Sequence, residues 1–251
     1  MSDKTWDEWI IALRNKWHNV PGGTVDIIST SNFNPAPEEM EKIAQDWISR
    51  RNSSVEGEYY NVRGWYHEKY KPIFQGRKVM DLGCGLGMDG ITFAQNGANV
   101  TFVDIVESNL IRIKKLCDHF NISNVSFMYL ENLKSFEKLD KDFDFIYAQG
   151  SMINAPFEIM RQECSVVLEH LKVGGRWIEL AYPKERWEND GKMSFERWGD
   201  VTDHGAPWME WYDLDKILNR LNAAHFEVVD TRHFGISHHG NEFNWFDLRK
   251  K

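Results

Sequence analysis

Between Val79 and Ile105 the chain reads VMDLGCGLGMDGITFAQNGANVTFVDI. Two apolar runs, closed by Asp81 and Asp104, flank a glycine-rich turn and a short helical stretch. An apolar run, a glycine turn, a helix and a second apolar run make half of a parallel crossover unit, and the same rhythm continues downstream. KVMDL, ANVTFVDI, NVSFMYL, FDFIYAQ and RWIELAYP read as strands, with helices over MDGITFAQNG, ESNLIRIKKLCDHF and PFEIMRQECSVVLEHL, the last stopped by VGG. After an insert at 184–211, LDKILNRLNAAH reads as helix, while FEVVDTRHF and EFNWFDLRK read as two consecutive strands, hence an antiparallel hairpin. The pattern predicts a doubly wound α/β sandwich, its mostly parallel sheet closed by that hairpin.

In such a sheet a ligand lies over the carboxyl ends of the strands. Gly83 and Gly85 permit a tight turn whose N–H groups approach a ligand closely, and Gly87 allows close helix packing. Asp104, ending the second strand, can accept two hydrogen bonds from ribose hydroxyls. The spacing is D-x-G-x-G-x-G, not the G-x-G-x-x-G of a dinucleotide site, and Asp81 and Asp89 bracket the turn. Two carboxylates would repel a pyrophosphate, yet they favour an amine and a sulfonium. The chemistry points to S-adenosylmethionine.

This stretch closely resembles motif I and the following acidic strand of the class I S-adenosylmethionine-dependent methyltransferases, and the resemblance runs from Val79 to Tyr182. It implies a Rossmann-like seven-stranded sheet. It also implies that Asp81, Gly83 and Gly85 meet the methionine part, with Asp89 beside the turn. Asp104 would hold the ribose and Ile105 would pack on adenine. Glu131 would take the adenine amino group, with the Asn132 N–H facing the ring, and Gln149 would approach the transferring methyl. Upstream, YYNVRGW offers Tyr60 and Arg63, the latter for the methionine carboxylate or for a surface ion pair.

The rest of the chain bears on the acceptor. A net charge of −8 without a long basic run argues against nucleic acid and anionic membrane as partners. YAQGSMINAPF lacks the [DN]-P-P-[YF] signature of many amide-nitrogen methyltransferases. Three scattered cysteines give neither a disulfide framework nor a zinc motif, and no apolar run reaches membrane length. A cytoplasmic setting follows, with a small-molecule partner and a homodimer as an allowed assembly.

Eleven Trp residues lie outside the glycine-rich stretch. Trp6, Trp9, Ile10, Leu13 and Trp17 share one helical face, and the Pro/Gly-rich break after them suggests a lid within an N-terminal helical extension, 1–75, on a core of 76–251. The insert and the terminal hairpin carry Trp208, Trp211, His204, His238 and His239, and Tyr182 precedes them. Aromatic planes with imidazoles and carboxylates suit a polyhydroxylated ring. The sequence therefore predicts methyl transfer to a hydroxyl of a sugar or other small metabolite. One of His238, His239 or His204 serves as general base, or failing them Asp200, Asp203 or Glu210, and no metal ligands are assigned, though a divalent ion is an alternative aid to the acceptor. Transfer to a small amine, or a protein that binds the cofactor without catalysis, are the alternatives.

Overall fold

In the computed structural model, residues 4–19, 36–56, 64–202, 205–236 and 241–251 are described. Seven strands form one sheet: β1 (Lys78–Leu82), β2 (Asn99–Asp104), β3 (Val125–Tyr129), β4 (Phe143–Gln149), β5 (Leu171–Ala181), β6 (Phe226–Ile236) and β7 (Asn241–Lys250). Their order is β3-β2-β1-β4-β5-β7-β6, so the winding reverses between β1 and β4. The first five strands run parallel, and β7 pairs antiparallel with both β5 and β6. This is the doubly wound, Rossmann-like arrangement that the strand–helix rhythm predicts.

The helices are α1 (Trp6–Asn19), α2 (Pro37–Glu56), α3 (Trp65–Phe74), α4 (Met88–Gln95), α5 (Glu107–His119), α6 (Phe157–Val167), α7 (Lys184–Asn189), α8 (Phe195–Thr202) and α9 (Leu214–Leu221). Two buried clusters flank the sheet. One gathers Met80, Leu82, Ile146 and Ala148 with Met160 and Cys164 of α6 and with Trp6, Trp9, Ile10 and Leu13 of α1. The other gathers Val79, Phe102, Phe145 and Tyr147 with Tyr66, Tyr70 and Phe74 of α3 and Phe93 of α4. Central parallel strands are apolar on both faces for this reason.

Local chemistry sets the ends of α1 and α9. Thr5 and Glu8 form a reciprocal cap on α1: the Thr5 N–H donates to Glu8 Oε2 at 2.7 Å and the Glu8 N–H to Thr5 Oγ1 at 3.4 Å. Asp213 Oδ1 accepts the Lys216 N–H at 2.9 Å and starts α9.

Two expected boundaries move. Val173, Gly174 and Gly175 do not simply end a helix, because they lie inside β5, where Gly174 at φ +79° accompanies a shift in the β4–β5 register between Phe143 and Phe145. The helix expected over 214–225 breaks at Asn222, whose left-handed φ of +67° admits only a short 3₁₀ turn, Ala223–His225, before β6.

Candidate active site

The glycine turn follows β1 at the reversal point. Gly83 and Gly85 take φ values of +71° and +53°, a region that favours glycine. A Cβ at Gly83 would overlap Ser151 Cβ in the loop after β4, and Ser151 Oγ donates to the Leu82 carbonyl at 2.6 Å. Absence of a side chain at Gly83 therefore lets the β1 and β4 loops meet.

Asp104 ends β2 beside this turn and is buried. Its Oδ2 accepts the Gly85 N–H at 2.8 Å, and its Oδ1 accepts the Val106 N–H at 2.7 Å and Asn109 Nδ2 at 3.4 Å. Burial pushes its acid up to about 6, against the pull of those donors. The carboxylate is oriented by backbone amides, and its longest contacts are those from Asn109 Nδ2 at 3.4 Å and from the Cys84 thiol to Oδ2 at 3.7 Å.

Asp81 is also buried, opposite Tyr147 in the β1–β4 ladder, and a Cβ at Gly90 would strike its Oδ2. That contact places the carboxylate against the first turn of α4. Asp89, in the same turn, is held on both oxygens: His67 Nε2 lies 2.5 Å from Oδ1, and Tyr147 Oη donates to Oδ2 at 3.0 Å. His67 also stacks on Phe93 at 5.0 Å. The sequence reading missed His67 and Tyr147, since nothing in GWYHEKY marks a residue that meets α4.

Across the carboxyl ends of β2 and β3 runs α1. Arg14 donates to the carbonyls of Ile105, Leu130 and Glu131 at 2.8, 3.2 and 3.1 Å and lies over Tyr129. At the other end of the helix, Trp6 Nε1 donates to the buried Glu163 of α6 at 2.9 Å. Ile105 is half-buried and the Glu131 side chain is exposed. The Asn132 N–H donates to Ser135 Oγ at 3.3 Å, opening the 3₁₀ turn Leu133–Lys138. Gln149 sits half-buried at the end of β4. Asp81, Gly83, Gly85, Asp104, Ile105, Glu131 and Gln149 thus come to one edge of the sheet. A surface groove of about 520 Å³ lined by Lys71, Gln75 and Gln95 lies instead where α3 and α4 end, on the opposite edge.

Residues 79–175 match the family described as a methyltransferase domain. Among curated proteins, the chain is 25% identical over 169 residues to methyltransferase phqN of Penicillium fellutanum, covering 65% of this chain and 51% of that protein. The chain thus spans about half the length of that relative. Among solved structures it resembles magnesium protoporphyrin IX methyltransferase from Synechocystis PCC 6803 with bound SAM (TM-score 0.60, 15% identity, all of both chains covered). It also resembles 1,6-didemethyltoxoflavin-N1-methyltransferase from Burkholderia thailandensis with its substrate and S-adenosylhomocysteine (TM-score 0.58, 19% identity, 86% of this chain and 91% of that one). At these identities the structures establish the shared fold.

The segments that follow residues 79–175 build the other side of this edge. Tyr182, just after β5, packs on Phe243 of β7 at 5.5 Å and carries the Arg186 guanidinium 4.0 Å from its ring. Trp208 meets Trp9 of α1 edge-on at 5.7 Å, and its Nε1 donates to Glu210 at 2.9 Å. Glu210 also accepts the Phe157 N–H at 3.0 Å and pairs with Lys216 at 2.7 Å, so it ties α6, α9 and the insert together. Lys216 covers the Trp211 ring at 3.9 Å. Asp200 is exposed and accepts from Arg197 Nη1 on α8 at 2.6 Å. Tyr60, Arg63, Asp203, His204, His238 and His239 lie outside the described residues. Among the described residues no group of three His, Cys, Asp or Glu side chains could hold a metal ion, and no helix is long and apolar enough to cross a membrane.

Proposed function

We propose that this protein transfers the methyl group of S-adenosylmethionine to a hydroxyl of a small metabolite, a sugar or another hydroxylated ring. The observation that carries the cofactor half is the pairing of a positive-φ glycine turn with the buried, amide-held Asp104 at the reversal point of the sheet. Ribose hydroxyls would donate to Asp104, the ammonium would meet the acid side of the turn at Asp81, and Ile105 would take the adenine face. Arg14 fixes α1 over that end, so we assign α1 as a cover that keeps water from the sulfonium.

Methyl transfer is an in-line displacement: the acceptor oxygen attacks the methyl carbon, the carbon–sulfur bond breaks, and S-adenosylhomocysteine leaves. The protein aligns the acceptor and takes its proton. His238, His239 and His204 stay the proposed bases, and Tyr182 lines the acceptor end. Glu210 is buried and tied into structural contacts, which argues against it as the base. Transfer to nitrogen is the second reading, favoured by the likeness to the Burkholderia thailandensis N1-methyltransferase.

The test is S-adenosylhomocysteine release from S-adenosylmethionine over matched panels of hydroxylated and amine-bearing small molecules. Turnover confined to hydroxylated members supports the first reading, and turnover confined to amines supports the second. Tight cofactor binding with no turnover on either panel would contradict both in favour of a binding protein.

A further inference from the structure

Arg186 is the buried cation for which the cofactor reading has no use. It sits on α7, 8% exposed, with its guanidinium 4.0 Å from the Tyr182 ring and 5.6 Å from Phe243. Its Nη1 is buried and has no hydrogen-bond partner among the described residues. Among the described residues no carboxylate pairs with it. Arg220, which is also buried, pairs with Glu179 and donates to the Met152 carbonyl at 2.8 Å, and the half-buried Arg176 pairs with Asp247.

A guanidinium taken from water needs an anion or a set of acceptors, and leaving it with rings alone is costly. Stacking on Tyr182 orients the planar fork and holds it ready for a two-pronged contact with a carboxylate or phosphate. The place matters as much as the charge. Tyr182 follows the carboxyl end of β5, two strands from the glycine turn, and Phe243 stands beside it at the start of β7. Tyr182, Phe243, Trp198 and Arg186 therefore gather at the sheet edge on which the cofactor residues lie.

We propose that Arg186 is an acceptor-binding residue, and that the methyl acceptor bears an anionic group, a carboxylate or phosphate, attached to a ring that packs against Tyr182 and Phe243. The inference rests on the methyltransferase reading above and narrows its substrate class to acidic metabolites. It also predicts selection against neutral analogues, because a buried fork left unpaired penalises a ligand lacking the anion.

The test uses the full chain saturated with S-adenosylhomocysteine and matched fragment pairs, 4-hydroxybenzoate with 4-hydroxybenzamide and phenyl phosphate with phenol, titrated by calorimetry. The wild type is expected to bind the anionic member of at least one pair about tenfold tighter or more. Arg186→Met should abolish that preference, and Arg186→Lys, which keeps charge without the fork, should retain part of it. Equal affinities within both pairs, no binding of either anion, or a preference that persists in Arg186→Met overturns the assignment. The wild-type comparison decides the matter even where a variant fails to fold. Saturation with S-adenosylhomocysteine separates the two claims: without that binding the cofactor reading falls, and with it but no anion preference only the role of Arg186 falls.

Discussion

Asp104 links the sequence pattern to chemistry at the scale of one side chain. Its folded acid lies near 6 against an ordinary value of 3.8, because burial outweighs the amide donors. A raised carboxylate binds its proton more tightly in the folded state. Its stabilising contribution is thus complete below 3.8 and is lost as pH rises through about 6. In the proposed binding mode, cofactor affinity runs the other way, since ribose hydroxyls would donate best to the ionised form. S-adenosylhomocysteine affinity measured calorimetrically is expected to fall by about tenfold between pH 7 and pH 5, and to stay flat in Asp104→Asn. The same fall in the variant would show that another group is titrating. Asp104 was legible because motif and strand end are local. His67 on Asp89, Trp6 on Glu163 and Arg186 on Tyr182 were not. The first two pairs join residues 22 and 157 positions apart, and chain spacing carries no signal for them. For Arg186 the four-residue step back to Tyr182 was available, but nothing local told that its fork would be buried unpaired.

At the scale of elements, α1 is legible as an amphipathic helix, whereas its seat is not. Trp6, Trp9, Ile10 and Leu13 are each at most 4% exposed and join the main core, so α1 is a built part of the fold as well as the proposed cover. Fully burying each of these side chains contributes roughly 1.5–3 kcal/mol. The contact with α6 is pH-sensitive. Burial holds the Glu163 acid near 7, above its ordinary 4.5, so its stabilising contribution is complete below 4.5 and lost as pH rises through 7. Chemical denaturation of the free protein should show stability falling by on the order of 1 kcal/mol from pH 6 to pH 8 through this group alone. Glu163→Gln keeps an acceptor for Trp6 Nε1 and removes the charge, so that part of the slope should vanish. An unchanged slope would place the titrating group elsewhere.

For the whole molecule, alternating strands and helices allowed the sheet class and the antiparallel end to be read directly, because each periodicity is a local property. Strand order and the convergence of α1, the β4 loop and the insert on one edge depend on long-range packing. The central claim is that this edge holds S-adenosylmethionine through the glycine turn and Asp104. The most direct measurement is calorimetric titration of S-adenosylhomocysteine into the full chain and into Asp104→Ala at pH 7.5. The account predicts one site per chain in the wild type and a loss of roughly 2–3 kcal/mol in the variant. No binding by the folded wild type, or the same affinity in Asp104→Ala, would contradict it.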